Sequence, residues 1–163
     1  MSAPQIKSAL DRLAAALQVI AAAALLGMVL VEAWQVLARY VLNDSPSWTE
    51  PVALLLMSTT MMLGAAVCVR SEAHFGFYIL TEASRPAVGK ALRFAARTIV
   101  AVIGLVLADF GARLMADSWW FDMAGVPLPQ GVTYLPMTVG GAAMALFALE
   151  RIAFTQAPAP IPE

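Results

Sequence analysis

Charge is scarce in this chain. Only 13% of its 163 residues are Asp, Glu, Lys or Arg, against about 25% in an average soluble domain. Hydrophobic residues make up 61%, and the mean hydropathy is +0.77. A chain of this length forms one domain and cannot bury so much apolar surface inside itself. A soluble globular enzyme is thereby excluded, and lipid supplies the missing apolar surroundings. Cysteine is almost absent: Cys68 stands alone, which excludes an intrachain disulfide framework and a cysteine-built zinc or iron–sulfur site. The single histidine, His74, excludes bis-histidine haem ligation within the chain. Ten basic and eleven acidic residues leave a net charge of −1, which argues against a nucleic-acid partner. Also lacking are a GxSxG, an HExxH, a Walker loop and a paired carboxylate. No catalytic residue, cofactor or metal ligand is expected in this chain.

What is present fits an all-α integral membrane protein with four transmembrane helices. A spanning helix needs about 20 mostly apolar residues. The first run, 13–31, is interrupted only by Gln18 and continues past Glu32 to Leu42. The second (51–69, with Pro51 tolerated in a first helical turn) and the fourth (131–149) contain no charge. The third is too short at 98–108. It becomes a span only as one helix from Phe94 to Met115, with Arg97 snorkelling at one end and Asp109 and Arg113 paired at the other. The predicted spans are 13–42, 49–69, 94–117 and 131–150, in a single domain of residues 1–154. Residues 155–163 are read as a disordered proline-rich tail.

Basic residues set the expected orientation. With the N-terminus inside, Lys7, Arg12, Arg70, Arg85, Lys90, Arg93, Arg97 and Arg151 fall on the cytoplasmic side, and only Arg39 and Arg113 fall outside. That asymmetry satisfies the positive-inside tendency and places both termini in the cytoplasm. Trp34, Trp48, Trp119 and Trp120 then lie near outer helix ends, where an aromatic belt belongs. Lys7 and Arg12 resemble the head of a signal peptide, but the apolar run exceeds the 7–15 residues typical of one, so a retained helix is expected. Between the second and third spans, Phe75, Tyr78 and Ile79 share a helical face, which predicts a short interfacial helix; a simple turn is the alternative.

Ionisable residues in such a setting are functional candidates by default. Glu32 is the residue a proton-coupled exporter would use, yet it follows a long apolar stretch and belongs near the outer boundary. Asp109, Arg113 and Asp117 are spaced i, i+4, i+8 and share one helix face, as a solvated helix end or as a polar contact with another protein. His74 has no second histidine to build a metal site and reads as an interfacial anchor. Hydroxyls of Ser58, Thr59 and Thr60 are expected to bond back to helix carbonyls or across to a neighbour. Gly64, Gly140 and Gly141, with the Ala21–Ala24 run, offer smooth faces for close helix packing. Four helices without an evident active site suggest a subunit.

In order along the chain, RYVLNDSPSWTE, then Gly64, then VRSEAHFGFYIL, resemble the small membrane subunit of tripartite ATP-independent periplasmic (TRAP) transporters. The matching positions are Arg39 and Tyr40 at the end of the first helix, Trp48 and Glu50 after a short loop, Gly64 in the second helix, and Arg70 and His74 after it. The fourth span, LPQGVTYLPMTVGGAAMALFALERI, is similar in kind, so the resemblance covers most of the chain from Val31 to Ile152. Two departures stand out: Pro51 follows Glu50, and Phe-Gly-Phe-Tyr follows His74, where the family often has acidic residues. The resemblance implies a large many-helix membrane subunit, which holds the substrate and sodium sites and works by an elevator motion. It also implies a periplasmic binding protein that delivers an organic acid, and a location in a bacterial or archaeal cytoplasmic (inner) membrane. The small subunit would scaffold the large one and help dock the binding protein, with Arg39, Trp48 and Glu50 at the subunit contact. Asp109, Arg113 and Asp117 are added here as further contact candidates from their spacing alone. The competing readings are a self-sufficient small proton-coupled exporter using Glu32 and a membrane anchor for a redox enzyme.

Overall fold

A computed structural model describes residues 3–71 and 86–154. Four helices carry the chain: α1 (Ala3–Tyr40), α2 (Thr49–Ser71), α3 (Pro86–Asp117) and α4 (Leu135–Ala153), with a 3₁₀ turn at Gln130–Tyr134 leading into α4. Each is long and apolar enough to cross a membrane, and the described residues contain no strand. The predicted interfacial helix, His74 and the proline-rich tail lie outside the described residues.

The sequence explains where these helices start and stop. Pro51 sits in the first turn of α2 and Pro136 in the first turn of α4, positions whose N–H has no intrahelical partner anyway. After α1, Asn43 takes a left-handed backbone with φ 52, which asparagine tolerates better than most residues. The chain reverses there, and Asp44 N–H returns to the Ala38 carbonyl at 3.1 Å. At about 1.5 Å per residue, the 38 residues of α1 span about 57 Å and the 32 of α3 about 48 Å. Both exceed the roughly 30 Å hydrocarbon core, so both extend beyond the apolar layer or cross it tilted.

The helices form an open row. α1 packs on α2, α2 on α4, and α4 on α3, so α1 and α3 are the two edges. Alanine and glycine dominate the contacts. A Cβ at Gly104 would lie 2.7 Å from Ala145 N, and one at Gly141 would lie 2.7 Å from Ala108 N. The α3–α4 crossing thus brings backbone against backbone, the close approach that small residues permit in membranes. Both α4 glycines are tightly packed, as expected, but on different sides: Gly141 faces α3, whereas a Cβ at Gly140 would lie 2.7 Å from Met62 Cβ of α2. A Cβ at Gly64 would meet nothing within 4 Å. Gly64 faces away from every described neighbour.

One buried cluster joins all four helices: Ala14, Leu17 and Ala21, Leu63 and Ala66, Val100 and Ala101, and Ala143 and Phe147. It covers little of the apolar surface. In the most hydrophobic stretch of α1, of α2 and of α3, only 22% of residues are buried within the chain, and Leu30 is 71% exposed. In water each exposed Å² would cost about 25 cal/mol; in lipid it costs nothing. Two threonine hydroxyls inside the row are satisfied by helix carbonyls, whereas the buried Gln35 Oε1 has no hydrogen-bond partner among the described residues. Thr59 Oγ1 donates to the Leu55 carbonyl at 2.8 Å, and Thr60 Oγ1 to Leu56 at 2.9 Å and across to Ala21 of α1 at 3.3 Å. Thr59 and Thr60 therefore bond back to their own helix, and Thr60 alone also bonds across to a neighbour.

Candidate functional site

The charged residues lie mostly toward the two ends of the row, one marked by Trp48 and the other by Arg70. At the Trp48 end, Thr49 is fully buried and its hydroxyl donates to the Pro46 carbonyl at 2.9 Å. That bond fixes the entry into α2, leaving Trp48 and Glu50 exposed on either side. Arg39, exposed in the last turn of α1, reaches the Ser45 hydroxyl at 3.5 Å. The loop after α3 folds back on itself. Asp122 and Pro129 form an antiparallel bridge, Met123 N–H donates to the Leu128 carbonyl at 2.8 Å, and Gln130 N–H donates to Phe121 at 2.7 Å.

This loop meets the first one at Gly125. Its φ is +77, and a Cβ there would lie 2.5 Å from the Ser47 carbonyl oxygen. Only glycine suits both that backbone and that approach. Arg39, Trp48 and Glu50 therefore border one joined surface built from both loops. Trp119, Trp120 and Phe121 remain exposed on the second loop, Trp120 at 89%, as side chains of an interfacial belt do when no lipid covers them.

Asp109, Arg113 and Asp117 occupy α3, an edge of the row. Arg113 Nε pairs with Asp109 Oδ2 at 3.0 Å, with both side chains more than half exposed. Asp117, the last residue of α3, is exposed. Among the described residues, no hydrogen bond or ion pair joins this trio to Arg39, Trp48 or Glu50. Glu32 is exposed on α1.

The opposite end holds a constellation that the sequence did not suggest. Arg70, at the end of α2, is buried. Its Nη1 donates to Glu150 Oε2 of α4 at 2.5 Å, and its Nη2 donates to Asp11 Oδ1 of α1 at 2.6 Å. The guanidinium also lies 5.9 Å from the centre of the fully buried Phe147 ring, within cation–π range. The chain of contacts continues through backbone: Arg151 Nη2 donates to the Arg70 carbonyl at 2.6 Å, and Arg97 Nη1 of α3 donates to the Arg151 carbonyl at 2.9 Å. Arg70 is a motif position in the sequence. Its partners are not evident there, because Asp11 and Glu150 are 59 and 80 residues away from it. The available signal was that both fall at the same membrane boundary as Arg70.

An open row of four spanning helices, with its charge mostly toward the ends and its flanks apolar, defines a transmembrane protein. The comparisons narrow that class. The family model of the tripartite ATP-independent periplasmic transporters, DctQ component, matches residues 28–155, and the chain belongs to that family. It is a small permease, a transmembrane subunit of a TRAP transporter. Among curated relatives, the sialic acid TRAP transporter small permease protein SiaQ of Vibrio cholerae serotype O1 (strain ATCC 39315 / El Tor Inaba N16961) is 24% identical over 123 residues, covering 73% of this chain and 69% of the relative. Membership implies a non-catalytic subunit associated with a large membrane subunit and a binding protein. The matched region contains Arg70 and Glu150 but leaves out Asp11.

Proposed function

We propose that this chain scaffolds the large subunit of a sodium-coupled, binding-protein-dependent secondary transporter that imports an organic acid across a bacterial or archaeal cytoplasmic membrane. One observation carries the reading: the helices form an open row whose flanks expose apolar residues. A chain that moved a solute alone would have to wall off its own path, whereas an open row is shaped to extend another protein's wall. In this role the substrate and sodium sites belong to the large subunit. This chain packs against its static part while the transporting part moves.

Both termini are assigned to the cytoplasm, so the Arg70 end faces inward and the Trp48 end outward. Arg39, Trp48, Glu50, Asp109, Arg113 and Asp117 then face the periplasm, where they contact the large subunit or the arriving binding protein. All six are exposed in the chain alone, which supports an unfilled contact. The exporter reading gains no support from Glu32, which stands exposed on an edge helix.

The test is a mild-detergent pull-down of the tagged chain from its native membrane, paired with uptake in a deletion strain. Recovery of a large many-helix membrane protein in fixed ratio, with loss of uptake of one organic acid while the binding protein still binds it, is the expected result. Undiminished uptake in the deletion strain, or recovery of this chain only as a homodimer, overturns the scaffold reading. Transport by this chain alone that is abolished by Glu32→Gln would establish the exporter instead.

A further inference from the structure

We propose that Arg70 is the keystone of a charge lock that fixes the order of the helices at one end of the row. Each helix contributes: Asp11 from α1, Arg70 from α2, Arg97 from α3, and Glu150 with Arg151 from α4. The guanidinium holds two carboxylates from two different helices, a task that suits its planar fork of donors. The relay through Arg151 and Arg97 uses the carbonyls of Arg70 and Arg151. The Arg151 carbonyl lies in the last turn of α4, where carbonyls lack intrahelical partners and the helix dipole favours cations. The lock therefore also caps the end of α4.

The physical need for it follows from the open row. In lipid, apolar contact between helices has little hydrophobic driving force, because the tails are as apolar as leucine. An edge helix such as α1 can trade a neighbour's side chains for lipid at small cost. A buried guanidinium and a buried carboxylate have no such substitute: the Arg70 and Glu150 side chains are 8% and 6% exposed, and lipid offers neither a counter-charge. Asp11, 57% exposed, is the peripheral arm that ties α1 to the pair. The lock concerns this chain alone; its use as a seat for the static part of the large subunit rests on the scaffold reading above.

The test reads helix separation directly, so its failure is distinct from a failure of the transport reading. Spin labels are placed on cysteines at exposed Ser8, Ser71 and Ala95 in a Cys68→Ser background. The full chain is studied in lipid nanodiscs together with any membrane subunit that co-purifies. Asp11→Asn is expected to widen the Ser8–Ser71 distance distribution roughly twofold and to leave Ser71–Ala95 unchanged, as local opening at one arm requires. Glu150→Gln should widen Ser71–Ala95 and spare Ser8–Ser71, and Arg70→Gln should widen both. Parent-like distributions in both carboxylate variants overturn the lock. So does equal widening of both pairs in each single variant, which would mean general loosening without separable arms. Should Arg70→Gln fail to fold, the two carboxylate variants, which keep the buried cation, decide the matter.

Discussion

Gly141 and Gly64 are both glycines in apolar spans, yet the structure predicts opposite outcomes when each becomes alanine. A Cβ at Gly141 lies 2.7 Å from Ala108 N, 2.8 Å from Gly104 O and 3.0 Å from Leu107 Cβ. Favourable contact begins near 3.5 Å, so α3 must retreat by about 0.8 Å, and two of the three obstacles are backbone atoms that no rotamer change can move. Overpacking of this kind costs about 1–3 kcal/mol. At Gly64 the new methyl meets nothing within 4 Å. Alanine is also the better helix former by up to about 1 kcal/mol, a gain both substitutions share, so their difference isolates the steric penalty. Gly141→Ala is expected to be less stable than Gly64→Ala by about 1–3 kcal/mol, read by reversible unfolding in bicelles with tryptophan fluorescence. Equal stabilities for the two variants would refute the backbone-to-backbone account of the α3–α4 crossing.

Other consequences can be checked alongside. Gly125→Ala places a side chain at φ +77 against the Ser47 carbonyl; the backbone strain alone is worth about 1–2 kcal/mol, and faster proteolysis in the loop between α3 and α4 is the expected readout. Arg113→Ala removes an exposed i, i+4 pair worth about 0.3–0.5 kcal/mol, so stability should stay nearly constant. If the trio contacts a second protein, recovery of that partner in a pull-down should fall while the melting temperature holds. Trp120, 89% exposed, should be quenched by probes at headgroup depth; Trp120→Phe is expected to remove that component with a stability change within about 0.5 kcal/mol.

The four spans were legible because hydropathy is an average over some twenty residues and survives errors in any one of them. The roles of Thr59 and Thr60 were legible for a similar reason: a hydroxyl in a spanning helix has few places to go, and these two took the local ones. Pairwise geometry was hidden. Gly64 and Gly141 look alike in sequence, since smoothness is a property of a residue while contact is a property of two helices. The third helix begins at Pro86, well before the apolar run that marks its membrane-spanning part, because a helix continues into water wherever its polar residues permit. The Asp11–Arg70–Glu150 constellation escaped because each charge, read on its own helix, sits at a boundary where snorkelling already explains it.

That same constellation bears on how the two ends divide their work. A side chain that holds its own chain together is not available to a partner. Arg70 and Glu150 are buried and engaged with each other, and Arg151 and Arg97 are tied into the same relay. At the other end, Arg39 makes, among the described residues, only a long contact to Ser45, the Asp109–Arg113 pair is open to solvent, and Glu50 and Asp117 are exposed. The two loops there are tied together through the Asp122–Pro129 bridge and the Gly125–Ser47 approach, and the exposed side chains sit on them or on the adjoining helix ends. Hydrogen-bonded backbone beneath uncommitted polar groups lowers the ordering cost of association. This division supports the proposed assignment of the Trp48 end to contact with another protein, and of the Arg70 end to the internal order of the helices.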